Sequence, residues 1–187
     1  MDYVVVSLGG SILVPGEKDS EHISAIAGLM RSLCKELHLV LVCGGGKVAR
    51  YYISTGKELG ASREQQDELG IEITRMNARL LQLALGKEAF GSIPRTVEEA
   101  VREARRGKML VMGGTVPGHT TDAVSALVAE ALGGLPPRPN ALKPLDPRGT
   151  LDAISQSAQV MPTNDLILTV GPVFQSALGR ILNGEAP

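Results

Sequence analysis

Apolar residues fall into two rhythms along this chain. Short apolar runs, "YVVVSL" at 3–8, "LVLVC" at 39–43 and "KMLVMGG" at 108–114, each run into glycine, and the first is rich in β-branched side chains. Runs of that length and kind predict strands buried on both faces. Between them the spacing changes to three and four residues. Ile23, Ile26, Ala27, Met30, Leu33 and Leu37 predict a helix over 20–37, with Asp19 or Ser20 at its cap. A second helix is expected from Lys47 to Leu59, stopped by Gly60. A third, Arg63 to Leu85, places Leu69, Ile73, Met76, Leu80 and Leu83 on one side and ends at Gly86. "TVEEAVREARRG", 96–107, has Thr96 followed three residues later by Glu99, the spacing of a capping box. The helix "TDAVSALVAEALGG" follows the third strand.

Strands alternating with helices predict a mainly parallel sheet covered by helices, an α/β fold. With 187 residues the chain suits one domain. Beyond Gly134 the character changes: "GLPPRPNALKPLDPRG", 134–149, reads as a linker or irregular loop, 150–161 as a weak helix, and "DLILTVGPV", 165–173, as a further strand broken at Gly171-Pro172. A net charge of −1 with 43% hydrophobic and 21% charged residues is that of an ordinary soluble globular protein, and predicts no nucleic-acid or membrane partner. The apolar run after Met109 is interrupted by Gly-Gly and Pro-Gly breaks, and the amino terminus has an acidic residue with no basic region before its apolar run, so a cytoplasmic location is expected. Cys34 and Cys43 lie among apolar neighbours and are expected to be buried, reduced thiols.

The candidate chemistry sits where strands meet glycine. In a parallel sheet the ligand crevice lies outside the carboxyl ends of the strands, so Gly9-Gly10-Ser11, Gly44-Gly45-Gly46 and Gly113-Gly114-Thr115 point to one place. Glycine admits close approach of a ligand, and the N–H groups of the helix starts that follow suit phosphate oxygens. Lys47 and Arg50 follow the second turn, where cations are poorly placed unless an anion compensates. Neither a P-loop nor a Gly-x-Gly-x-x-Gly fingerprint is present. Asp67, in "DELGIEITRMNARLL", has the chemistry to accept from vicinal ribose hydroxyls, with Arg75, Asn77 and Arg79 two turns on; an amphipathic helix alone also explains that stretch. His22, His38 and His119 complete no catalytic triad, and His119 in its loop is as well explained by solvent exposure as by ligand contact.

Taken together, "VVSLGGSIL" (5–13), "VCGGGKVARYYI" (42–53), "DELGIEITRMNARLL" (67–81) and "VMGGTVPGHTTDAVSALVAE" (111–130) resemble the amino acid kinase family, and within it the archaeal type of UMP kinases. The resemblance implies a three-layer α/β/α sandwich with a mainly parallel central sheet. It implies phosphoryl transfer from ATP to UMP with Mg²⁺, and assembly as a homo-oligomer, a hexamer in this family. Carried onto this chain, Gly10, Ser11 and Gly46 sit near the ATP phosphates and Gly45 near UMP. Arg50 contacts the phosphates being joined. Asp67 holds the UMP ribose, and Thr115, Val116, Pro117, Gly118, His119, Thr120 and Thr121 surround the uracil and acceptor phosphate. Asp122 orients neighbouring groups or helps Mg²⁺ bridge the nucleotides; no metal ligand set is assigned.

The resemblance covers roughly residues 1–133, an amino acid kinase core with acceptor-binding loops. Many members of the broader family have a lysine where this chain has Ser7. The family's Thr-Asn-Val-Asp-Gly-Val-Tyr segment, which builds the ATP base and ribose pocket, has no counterpart. "NDLILTVGPVF", 164–174, is its nearest candidate; alternatively "VGPVFQSALGRIL" stands for a later family helix with the ATP module deleted. Residues 134–187 are therefore expected to be a divergent or incomplete ATP-side portion of the same domain. Two alternatives accompany the kinase expectation: a non-catalytic UMP- or UTP-binding paralogue, and a related small-molecule phosphate kinase.

Overall fold

The structure, a computed structural model, describes residues 3–35, 37–107 and 109–132, and the backbone of 167–170. Strands β1 (Tyr3–Leu8), β2 (His38–Cys43), β3 (Met109–Met112) and β4 (Ile167–Val170) form one parallel sheet in the order β3-β2-β1-β4. Val5 lies opposite Val40 in β2 and Ile167 in β4, and Val40 opposite Leu110 in β3. The helices are α1 (Gly10–Leu13), α2 (Asp19–Leu33), α3 (Gly46–Glu58), α4 (Arg63–Leu85), α5 (Val97–Ala104) and α6 (Thr121–Ala131).

Because successive strand residues point to opposite faces, each apolar run feeds two cores. Val4, Val6 and Leu8 with Leu39, Leu41 and Cys43 pack against Ile23, Ile26 and Met30 of α2 and Ala78, Leu81 and Leu85 of α4. Val5, Val40 and Val42 with Leu110 and Met112 pack against Ala100 and Ala104 of α5 and Val124 and Val128 of α6. Helices on both faces of a parallel sheet make the three-layer α/β/α sandwich that was expected. Cys43 is buried and Cys34 partly so, and neither is in a disulfide.

The differences from the expected pattern lie mainly at helix ends and in the facing of α4. Helix α2 stops at Leu33, and Leu37 belongs instead to the buried entry into β2. Its cap is Lys18, in the left-handed region at φ 53°; Asp19 is already helical and accepts from the Gly16 N–H at 2.7 Å. At α5, Thr96 does cap the Glu99 N–H, but the Glu99 carboxylate accepts from Arg95 N, one residue before the position a capping box uses. A complete capping box occurs at the start of α4, between Ser62 and Gln65.

Helix α4 carries two stripes, and the apolar one read from the sequence faces largely outward. Met76 and Leu83 are 63% and 71% exposed, and Leu80 is exposed too. The buried face is Ile71, Thr74, Asn77, Ala78, Leu81, Gln82 and Leu85. Three polar residues make that stripe look less hydrophobic, yet each has a hydrogen-bond partner that makes burial tolerable. The expected linker at 134–149, the helix at 150–161 and the ends of the strand at 165–173 lie outside the described residues.

Leu81 is fully buried. Leu81→Ala is expected to lower unfolding stability by about 2–5 kcal/mol, measured by urea denaturation; an unchanged midpoint would return the core to the Met76 stripe.

Candidate functional site

The first two glycine turns are nested backbone against backbone. Gly44 N donates to the Leu8 carbonyl at 2.8 Å, tying the end of β2 to the end of β1. A methyl group on Gly10 would overlap the Gly46 nitrogen, and one on Gly46, whose φ is +63°, would lie 2.5 Å from the Gly10 carbonyl carbon. Both positions therefore require glycine, one for space and the other for space and conformation. Helix α3 starts at this junction with no acidic residue in its first turn and no side-chain cap. Its amino-terminal N–H groups are left for an anion.

Helix α4 braces the turns from one side. Asn77 Nδ2 donates to the Gly44 carbonyl at 2.8 Å. Thr74 Oγ1 accepts from Gly114 N at 2.6 Å while donating to the Ile71 carbonyl at 2.6 Å. Arg75 reaches the Gly114 and Thr115 carbonyls at 3.2 and 3.0 Å, with Glu72 at 2.7 Å balancing its charge. Asp67 Oδ2 accepts from Gly118 N at 2.8 Å, so the loop after β3 is tied to α4 at both ends.

These braces enclose a cleft of about 370 Å³ lined by Gly45, Gly46, Arg50, Arg63, Asp67, Thr74 and the loop from Gly118 to Thr121. That volume falls in the range of about 300–1,000 Å³ for small-molecule sites. Arg50 Nη2 donates to Ser11 Oγ at 3.2 Å, which links the first glycine turn to the cleft. Lys47 turns away and donates to the Pro15 carbonyl at 3.3 Å. Two arginines with the open start of α3 favour an anion, while the Asp67 carboxylate favours hydroxyl donors. Cys43, next to the second turn, supplies no nucleophile, because burial pushes its thiol far above the usual range.

The structure thus brings Gly45, Gly46, Arg50, Asp67, Gly118, His119, Thr120 and Thr121 to one cleft. Thr115 and Val116 instead line a neighbouring cavity of about 510 Å³ with Val97, Leu127 and Glu130; His119 borders both cavities. The Thr115 hydroxyl is buried and has no hydrogen-bond partner among the described residues. Thr120 caps α6, accepting from Ala123 N at 3.2 Å, and Asp122 accepts from the Ser7 hydroxyl at 2.7 Å. Gly10 and Ser11 form the first turn beside the cleft, and Pro117 bends the loop without lining either cavity. Arg75 and Asn77, read from the sequence beside Asp67, act as backbone braces. Arg63 escaped sequence reasoning as a site residue: it falls between the second glycine turn and the motif that starts at Asp67, and looks like an ordinary first-turn residue.

The chain is a parallel α/β/α sandwich with nested glycine turns and an arginine-flanked cleft at its strand ends, the place where open α/β folds hold their ligands. More particularly, the chain belongs to the amino acid kinase family, which it matches over residues 2–135. It is 47% identical over 127 residues to a uridylate kinase of Methanobrevibacter smithii, covering 68% of this chain and 56% of that one. It is 50% identical over 129 residues to a uridylate kinase of Methanocaldococcus jannaschii, covering 68% and 57%. The chain therefore spans little more than half the length of these curated relatives. The crystal structure of uridylate kinase from Archaeoglobus fulgidus superposes with a TM-score of 0.67 at 31% identity, covering 100% of this chain and 97% of that one.

The nested turns generate a specific expectation. Gly10→Ala forces the Gly10 and Gly46 backbones apart, lowering the melting temperature and weakening phosphate-ligand binding by at least about tenfold in calorimetry; an alanine variant with unaltered stability and affinity would show that the turns are not interlocked.

Proposed function

We propose that this chain is a UMP kinase that transfers the γ-phosphate of ATP to UMP, giving ADP and UDP for pyrimidine nucleotide biosynthesis. The observation that carries the reading is the single cleft in which Arg50, Asp67 and the Gly118–Thr121 loop meet the Gly45-Gly46 turn. On this reading Asp67 accepts from the ribose hydroxyls and Gly45 adjoins UMP. The loop Gly118–Thr121 adjoins the uracil and acceptor phosphate, while Thr115 and Val116 line the neighbouring cavity, where the buried Thr115 hydroxyl retains capacity for a hydrogen bond. Gly10, Ser11 and Gly46 face the ATP phosphates, and Arg50, already in contact with Ser11, bridges donor and acceptor. Phosphoryl transfer depends on positioning and charge neutralisation, so these residues need not include a nucleophile.

Among the described residues no cluster of three acidic, histidine or cysteine side chains forms a metal cage. This fits Mg²⁺, which is commonly held by one or two carboxylates together with substrate phosphates. Asp122 is the carboxylate that would hold it here, and the ion would supply charge neutralisation across the phosphates.

Residues 1–133 are then the acceptor-side core and 134–187 a divergent ATP-side portion of the same domain. The reading carries with it a cytoplasmic location; among the described residues no helix is long and apolar enough to cross a membrane. It also includes self-association, a hexamer in the proposed assembly, and the exposed α4 stripe of Met76, Leu80 and Leu83 is the apolar face available for it. Leu80→Glu with Leu83→Glu is expected to shift the sedimentation coefficient to that of a smaller species; unchanged sedimentation would exclude this face.

A second reading, a UMP- or UTP-binding paralogue without catalysis, is favoured by one fact: the match to the curated relatives covers little more than half their length. An ADP-release assay across UMP, CMP, AMP and acetylglutamate tests both. Turnover is expected with UMP alone, and Asp67→Ala should lower kcat/KM by about 10- to 100-fold. Turnover with another acceptor would transfer the chain to a related phosphate kinase. Binding of UMP in calorimetry without binding of a non-hydrolysable ATP analogue would establish the second reading.

A further inference from the structure

Ser7 stands out on its face of the sheet. It follows Val5 by two residues and so shares the side on which Val5, Val40 and Val42 pack against α5 and α6. It is buried, with 3% of its surface exposed, and its hydroxyl donates to Asp122 Oδ1 at 2.7 Å across 115 residues of sequence. Asp122 lies in the first turn of α6, directly after Thr121 of the cleft wall. Its side is exposed, and its other carboxylate oxygen makes no hydrogen bond among the described residues.

Stability alone does not call for this pair. Alanine would suit a valine-lined face without a hydroxyl to satisfy, and an aspartate in a first helical turn is already favoured by the helix dipole. What the bond adds is constraint: an exposed carboxylate, otherwise free to change rotamer, is tethered by one oxygen to a buried strand paired on both sides, with the second oxygen left available. We propose that Ser7 is a positioning residue, which acts through Asp122 by fixing its carboxylate next to Thr121 of the cleft wall for the phosphoryl-transfer step. The inference rests on the kinase reading for its catalytic consequence, but the tether itself does not.

The test compares the intact chain with Ser7→Ala, Ser7→Thr, Asp122→Ala and the Ser7→Ala/Asp122→Ala pair. Ser7→Ala should lower kcat by about tenfold while leaving KM for UMP within about twofold, and Ser7→Thr, which keeps the hydroxyl, should restore most of the loss. In the Asp122→Ala background, Ser7→Ala should cost nothing further, since a residue acting through another has no effect once that partner is gone. Independently of turnover, three-bond NMR couplings to the Asp122 carboxyl carbon should report one χ1 rotamer in the parent chain and averaging in Ser7→Ala. Additive losses in the pair, an unchanged kcat in Ser7→Ala, or a rotamer that stays fixed without the hydroxyl would each overturn the proposal. A parent chain without turnover defeats the kinase reading alone; the rotamer measurement then decides whether Ser7 holds Asp122.

Discussion

The site depends on a buried polar seam along α4. Thr74 and Asn77 sit where a helix packed on a sheet would ordinarily present leucine or valine, and they spend their hydrogen-bonding capacity on the backbone of two glycine turns. A buried amide or hydroxyl is tolerable only with its partners in place, so the seam works in both directions. The turns satisfy the helix, and the helix holds the turns. Arg75 and Asp67 extend the same logic to the loop after β3. The cleft is thus walled by backbone whose position is set by a long rigid helix.

Glycine makes that arrangement possible, because the first two turns approach more closely than any side chain allows. Bringing the two turns together sets the starts of α1 and α3 beside each other. In a site that handles phosphate, preorganised N–H donors act without reorganising as charge shifts, and this is where electrostatic stabilisation is most effective. Arg50 and Arg63 then contribute positive charge at the edge of that cradle.

Much of this was legible in the sequence. The apolar runs identified three strands within a residue or so of their ends, and the glycine turns, Arg50, Asp67 and the Gly118–Thr121 loop converged as their motifs implied. The fold class followed from alternation alone. What stayed hidden has a common physical origin: hydrophobic periodicity counts apolar side chains and is blind to a polar residue whose partner is distant in sequence. It therefore picks out the Met76–Leu80–Leu83 stripe and passes over Thr74, Asn77 and Gln82, which are among the inward residues. Likewise, nothing local distinguishes Ser7 from any serine in a strand until Asp122, far along the chain, is folded against it. The placement of Thr115 and Val116 against a second cavity reflects a loop conformation that motif spacing does not encode.

The strand order has a consequence for how the molecule comes into being. Of the described strands β1 comes earliest in the chain, yet it lies inside the sheet, flanked by β2 on one side and by β4 on the other. During translation the β1–β2 pair can form early, but one edge of β1 must wait until Ile167–Val170 has been made before its backbone N–H and C=O groups find their neighbour. An apolar strand with an open edge is a template for pairing with other chains. The nascent protein is therefore at its most aggregation-prone after its cleft elements have been made and before its last described strand has arrived.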